Sequence, residues 1–175
     1  MNFNKLKNSS GCYVIAEAGL NHNGSIETAK KLIDLASKAG ADAVKFQKRT
    51  INNLAIKATL DAPDDRFPEF GKTYREIREH LEFNMTQYQE IKKYSESKGL
   101  DFLCTAFDPE AADFLEELGI ETYKLASHSV TNIELLEYLA KTGKQSIMST
   151  GMAELKEVDT AVRIFKKHKT PLLLL

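Results

Sequence analysis

At 175 residues, with 42% hydrophobic and 28% charged residues, the chain is long enough to bury a real core and has neither a disordered nor a fibrous composition. Its 24 basic and 25 acidic residues nearly cancel, and no run of like charge is long enough to follow a nucleic-acid backbone, so any anionic ligand has to be held locally. Met1–Ser10 is polar and lacks the apolar stretch of a secretion signal, and the longest aliphatic run, Leu172–Leu175, falls far short of a membrane span. Cys12 and Cys104 then read as reduced thiols in a cytoplasmic protein.

In chain order, a first strand is expected over Tyr13–Glu17, followed by a polar, flexible loop, Glu17-Ala18-Gly19-Leu20-Asn21-His22-Asn23-Gly24-Ser25. The helix from Ile26 to Ala39 carries Ile26, Ala29, Leu32, Ile33 and Ala36 on one stripe. Gly40 ends it, and a strand over Ala43–Phe46 follows at once. About 39 residues, Gln47 to Met85, then separate that strand from the next capped helix, which is long enough to be a functional, partly structured connection with a short helix near Lys72–Leu81. Thr86 with Gln89 and Thr131 with Glu134 have capping-box spacing, and Asp108 followed by Pro109 supplies an N-cap and a first-turn proline.

Strands are expected over Phe102–Thr105, Thr122–Leu125, Gln145–Ser149 and Pro171–Leu175, the first three each reached from a helix through a glycine, Gly99, Gly119 or Gly143. Their nearly continuous apolar runs suit parallel strands covered on both faces. Strict alternation of about six strands and five helices fits a doubly wound sheet or a TIM-type (β/α)8 barrel. Because the chain stops within a strand-like run at Leu175, the expectation is an N-terminal barrel fragment spanning residues 1–175.

The carboxyl ends of parallel barrel strands face the active site, and here they are polar in every complete unit: Glu17, Lys45, Thr105, Lys124 with nearby Ser127, and Ser149. Any one could be a solvated strand end. Together, two lysines, three hydroxyls and one carboxylate suit a phosphate site with an acid–base group attached. Ser149-Thr150-Gly151-Met152 is expected to run into a helix whose free N–H groups favour an anion. Neither GxxxxGK[ST] nor GxGxxG is present, which argues against the usual nucleotide sites. Taken alone, His22 reads more readily as a hydrogen-bonded structural histidine than as a ligand, and His80, His128 and His168 lack ligand spacing.

The motifs Ile15-Ala16-Glu17-Ala18-Gly19-Leu20-Asn21-His22-Asn23-Gly24, Ala43-Val44-Lys45-Phe46-Gln47, Phe102-Leu103-Cys104-Thr105-Ala106-Phe107, Tyr123-Lys124-Leu125-Ala126-Ser127 and Ser149-Thr150-Gly151-Met152 resemble, in order, those of the N-acetylneuraminate (sialic acid) synthase family, which includes legionaminate and pseudaminate synthases. The resemblance implies a TIM-type barrel followed by an antifreeze-like domain, a domain-swapped homodimer, and a divalent metal, typically Mn2+, whose histidine ligands lie beyond residue 175. It implies condensation of phosphoenolpyruvate with an N-acetylmannosamine-like sugar. Lys45, Thr105, Lys124, Ser127 and Ser149 would bind phosphoenolpyruvate, Glu17 would act at the reacting centre, and Asn21, His22 and Gln47 would belong to the active-site loops. No metal ligand is assigned within this chain, and neither nucleic acid nor membrane is an expected partner. Two other readings stand beside this one: a class I aldolase using Lys45 or Lys124 as a Schiff base, and a non-catalytic barrel fragment.

Overall fold

The computed structural model describes Phe3 and residues 11–175; the rest of the polar Met1–Ser10 segment lies outside the described residues. Two compact units divide the chain, Val14–Phe102 on one side and Leu103–Leu175 with the N-terminal segment to Tyr13 on the other.

In the unit Val14–Phe102, β1 (Ile15–Gly19) pairs in parallel with β2 (Ala43–Lys48), with Glu17 opposite Lys45. The expected strand over Tyr13–Glu17 thus starts and ends two residues later, and Glu17 lies inside it. A register irregularity between Glu17 and Gly19, with Gly19 at φ +54°, carries the strand past that point. Helix α1 (Ile26–Lys38) begins at Ser25, whose hydroxyl accepts from the Thr28 N–H at 3.2 Å, and buries Ala29, Ile33 and Ala36. It packs on α4 (Met85–Ser97), which buries Tyr88 and Ile91. Burying an isoleucine such as Ile33 or Ile91 contributes about 1.5–3 kcal/mol, so this face anchors the unit.

The long connection after β2 is more structured than its composition suggests. It holds a 3-10 turn at Ile51–Asn53, a short α2 (Lys57–Leu60), an isolated bridge between Pro63 and Thr73, and α3 (Tyr74–Leu81). The Thr73 side chain caps α3 by accepting from the Glu76 N–H. Helix α4 is capped two residues before the expected Thr86: Asn84 and Gln87 form the reciprocal box, because both side chains reach the other's backbone N–H, at 3.0 and 2.9 Å.

In the second unit, which takes β3 (Asp101–Ala106) from Leu103 onward, β3, β4 (Thr122–Leu125), β5 (Gln145–Met148) and β6 (Leu172–Leu174) pair in that order, all in parallel. Asp108 caps α5 (Pro109–Glu117) by accepting from the Ala111 N–H at 2.8 Å, as the Asp-Pro pair implies. Asn132, not Thr131, caps α6 (Ile133–Lys141), and Glu154 with Glu157 boxes the start of α7 (Leu155–Lys167). Helix α7 therefore begins well after Ser149-Thr150-Gly151-Met152, so that loop does not open directly into a helix. The short helix expected near Lys72–Leu81 is α3, and among the described residues only α2, also inside the long connection, comes in addition to the expected helices. None of the helices among them is long and apolar enough to cross a membrane.

Candidate active site

Each unit carries one polar cluster at the carboxyl ends of its strands. In Val14–Phe102 the centre is an ion pair between Lys45 Nζ and Glu17 Oε2, fixed by the β1–β2 register. Lys45 is 9% exposed, whereas the Glu17 side chain is 46% exposed, so the carboxylate is the solvent-facing member. Gln47 Nε2 donates to Glu17 Oε1 at 3.1 Å, and Arg49 Nη2 donates to Gln47 Oε1 at 2.5 Å. The Tyr88 hydroxyl donates to the Gln47 carbonyl at 2.7 Å, which holds the end of β2.

Gly19 allows this arrangement. A Cβ at its positive φ would meet Glu17 Oε1 at 3.1 Å and Gln47 Nε2 at 3.3 Å, so any side chain would crowd the hydrogen bond joining them. Burial holds the Arg49 guanidinium below the usual arginine range, with Glu82 opposing the shift and Arg78 reinforcing it. Glu82 is itself held above the usual carboxylate range by burial, although Lys48 lies 2.9 Å away.

The loop after β1 divides the expected pair Asn21 and His22. Asn21 is exposed, while His22 is 1% exposed, stacked on Phe83 at 4.1 Å and tilted against Phe46 at 6.0 Å. Its Nδ1 accepts from the Gly24 N–H at 3.1 Å. Burial pushes its pKa down to about 4, so the ring is neutral near pH 7. This is the environment of a core histidine that shapes the loop. Gly24, at φ +75°, is required where the loop presses against the His80 backbone carbonyl.

The second cluster is built by register. Thr105 on β3 lies opposite Lys124 on β4, and Lys124 Nζ donates to Ser149 Oγ and to the Leu125 carbonyl, both at 2.7 Å. Thr105 and Lys124 are 2% and 5% exposed. Burial lowers the Lys124 pKa to about 8. The amine is therefore protonated at neutral pH but close to releasing its proton. Ser127 opens a 3-10 turn, and its Cβ lies 3.9 Å from where a Gly151 Cβ would stand.

The Ser149 and Thr150 N–H groups do not wait for an anion, since they donate to the carbonyls of Leu125 and Leu175 at 3.2 and 3.0 Å. Anion recognition here rests on the Lys124 ammonium and on hydroxyls. The expected metal finds no donor set of its own: among the described residues no three His, Cys, Asp or Glu side chains group as ligands.

Arg49 and Tyr88 were not among the residues singled out by strand-end reasoning. The signal available for Arg49 was its place two residues beyond Gln47. Tyr88 is a helix residue whose role depends on packing between α4 and β2.

Strands in parallel order with helices between them, and polar residues gathered at their carboxyl ends, define the class: an α/β protein with the fold of TIM-barrel synthases. The NeuB family model matches residues 32–175, and the chain belongs to that family. It is 36% identical over 155 residues to the human N-acetylneuraminate-9-phosphate synthase, covering 89% of this chain and 43% of that protein. It is equally 36% identical, over 156 residues, to the N,N'-diacetyllegionaminic acid synthase of Campylobacter jejuni, covering 89% and 47%.

Among solved structures, the N-acetylneuraminic acid synthetase of Leptospira borgpetersenii superposes with a TM-score of 0.77 at 35% identity, over 94% of this chain and 53% of that one. A truncated 3-deoxy-D-arabino-heptulosonate 7-phosphate synthase from Thermotoga maritima shares the fold at 12% identity and a TM-score of 0.63. The chain spans about half the length of the curated relatives it matches.

Proposed function

We propose that this chain is the phosphoenolpyruvate-binding part of a synthase that condenses phosphoenolpyruvate with an N-acetylmannosamine-like sugar, giving a nonulosonic acid and phosphate. Family membership supports the reaction class, and one observation carries the site: the buried Lys124 ammonium hydrogen-bonded to Ser149 beside Thr105. A buried cation flanked by hydroxyls costs folding energy and is suited to a dianionic phosphate, whose charge offsets the desolvation. Ser127 and Lys45 complete the proposed set.

In the proposed reaction C3 of phosphoenolpyruvate attacks the aldehyde carbon of the sugar, forming the new C–C bond while the aldehyde oxygen gains a proton. Positive charge develops at C2, water adds there, and the C2–O bond to phosphate breaks. Glu17, solvent-facing and oriented by Gln47 and Lys45, accepts the proton of the added water. Lys124, Thr105 and Ser149 hold the phosphate so that C3 is presented to the aldehyde, which turns encounter into position. A divalent metal such as Mn2+, with ligands from outside residues 1–175, would polarise the aldehyde, and that dependence rests on the resemblance alone. A homodimer, a following antifreeze-like domain and a cytoplasmic location belong to the same proposal.

The test is phosphate release by the full chain. The synthase reading expects release only when phosphoenolpyruvate, sugar and divalent metal are all present. Lys124 also motivates the rival, because a lysine brought to about pKa 8 by burial is a competent Schiff-base nucleophile. Borohydride trapping of a lysine adduct with pyruvate or the sugar, without phosphate release, would replace the synthase with a class I aldolase.

A further inference from the structure

The two oxygens of the Glu17 carboxylate have different anchors. Oε2 pairs with Lys45 Nζ, and Oε1 accepts from Gln47 Nε2 at 3.1 Å. An ammonium is a rotatable point charge that follows the carboxylate as it turns, whereas the amide contact has a direction. The lone pairs that Glu17 offers to a reacting water are therefore oriented by Gln47, and depend on which end of its amide faces the carboxylate.

A carboxamide carries a donor NH2 at one end and an acceptor oxygen at the other, and turning it over hardly changes its shape. While ionised, Glu17 has only acceptors and selects the NH2 itself. Once it holds the proton taken from water it can donate as well, and either end of Gln47 would then satisfy it. Turned over, Gln47 would set its oxygen against the carboxylate when that proton leaves, and the contact would be repulsive.

Arg49 removes this ambiguity. Its guanidinium has donors and no acceptor, and Nη2 donates to Gln47 Oε1 at 2.5 Å, so the amide oxygen stays on the Arg49 side whether or not Glu17 holds a proton. Arg49 is placed in turn by contacts of the same unit. Glu82, the residue that closes α3, accepts from Lys48 Nζ at 2.9 Å and from the Arg49 main-chain N–H, and it attracts the guanidinium that Arg78 repels. The Tyr88 hydroxyl holds the Gln47 carbonyl at 2.7 Å. We propose that Arg49 is a positioning residue of the reaction: it fixes the direction of the Gln47 amide, and through it the orientation in which Glu17 receives the proton of the added water. This rests on the synthase reading of the preceding section.

The experiment measures phosphate release by the full chain with phosphoenolpyruvate, Mn2+ and whichever of N-acetylmannosamine, its 6-phosphate or a diacetamido trideoxy analogue it uses. Arg49→Met should lower kcat by about tenfold, within the loss that a misplacement of about 1 Å produces, while both KM values stay within about twofold. Arg49→Lys, again a donor without an acceptor, should recover most of that loss. In a Glu17→Gln background, Arg49→Met should change the residual turnover by less than about twofold, because the substituted side chain can turn its own amide to match either end of Gln47. Arg49→Gln, which offers either end of an amide, should also lower kcat and covers the case in which Arg49→Met fails to fold. An unchanged kcat in a folded Arg49→Met or in Arg49→Gln, a loss confined to either KM, no recovery in Arg49→Lys, or equal losses with and without Glu17 overturns the positioning role. Absence of release by the unsubstituted protein with all three sugars overturns the synthase reading itself, and this role with it.

Discussion

The two polar clusters solve the same problem, keeping charge at a strand end, in opposite ways. In the Val14–Phe102 unit, charges are many and mostly compensated: Lys45 pairs with Glu17 and Lys48 with Glu82, while Arg49 donates to the neutral Gln47 amide. Around β4, one ammonium stands among hydroxyls and a carbonyl, and burial alone sets its pKa. The first arrangement keeps an acceptor carboxylate oriented at the surface. The second stores an unfavourable buried charge whose neutralisation by an arriving anion is favourable. One cluster is thus suited to moving protons and the other to binding.

Substitutions separate those roles. The largest effect is expected from Glu17→Gln, which keeps the hydrogen-bonding shape but removes the proton acceptor. Turnover should fall by about 10²–10⁴-fold with the phosphoenolpyruvate KM retained, as steady-state kinetics on the full chain would show; near-normal turnover would leave Glu17 a structural ion-pair partner.

Removing the other cluster's charge should act on binding. Lys124→Met should lower kcat/KM for phosphoenolpyruvate by about 10–10²-fold, matching the loss of a charge-assisted hydrogen bond of about 1.5–3 kcal/mol, and leave the sugar KM intact. The same variant should melt no lower than the parent at neutral pH, because it deletes a buried charge that the fold has to accommodate. A folded variant with normal phosphoenolpyruvate constants would show that the phosphate binds elsewhere.

Acidity divides the regions more finely. Lys124 is protonated below about pH 8, so kcat/KM for phosphoenolpyruvate should decline above that value, by up to about tenfold per pH unit. Folding has the reverse slope there: the unfolded lysine retains its proton to higher pH, so stability contributed at this site rises between about pH 8 and the ordinary lysine value. A flat pH–rate profile from 7 to 9.5 would remove Lys124 from the phosphate site.

His22 gives the smallest expected effect, confined to stability. Its folded pKa of about 4 lies below the unfolded value of 6.5, so the unfolded chain binds the extra proton between those limits. Stability is complete above about pH 6.5 and falls as the pH drops towards 4, by at most about 3.4 kcal/mol at 1.36 kcal/mol per unit. His22→Phe should flatten that acid slope in urea melts while shifting kinetic constants less than twofold; a large loss of turnover would return His22 to the reaction.

Local chemistry alone was enough to mark most of the chain's rhythm. The apolar runs of β2, β3 and β4, the Asp108–Pro109 start of α5 and the stripe of α1 each depend on neighbours within a few residues, and each was readable in sequence. So were the candidate residues at the strand ends, because a parallel strand delivers its carboxyl end to one side whatever its partners. Capping residues were misplaced by two positions at α4 and one at α6, where nearby Asn and Thr side chains offer competing caps and only the realised backbone chooses between them.

Tertiary structure decided the rest, since each remaining property belongs to pairs distant in the chain. Register put Lys45 against Glu17 and Thr105 against Lys124. Packing against Phe83 withdrew His22 from solvent while its neighbour Asn21 stayed exposed. An open cavity beside Arg78 is bordered by Asp64, Arg66 and Tyr74 from both sides of the Pro63–Thr73 bridge, residues that sequence spacing alone does not bring together. Residue type is a property of one position, but burial, charge state and proximity are set by whatever the fold places alongside it.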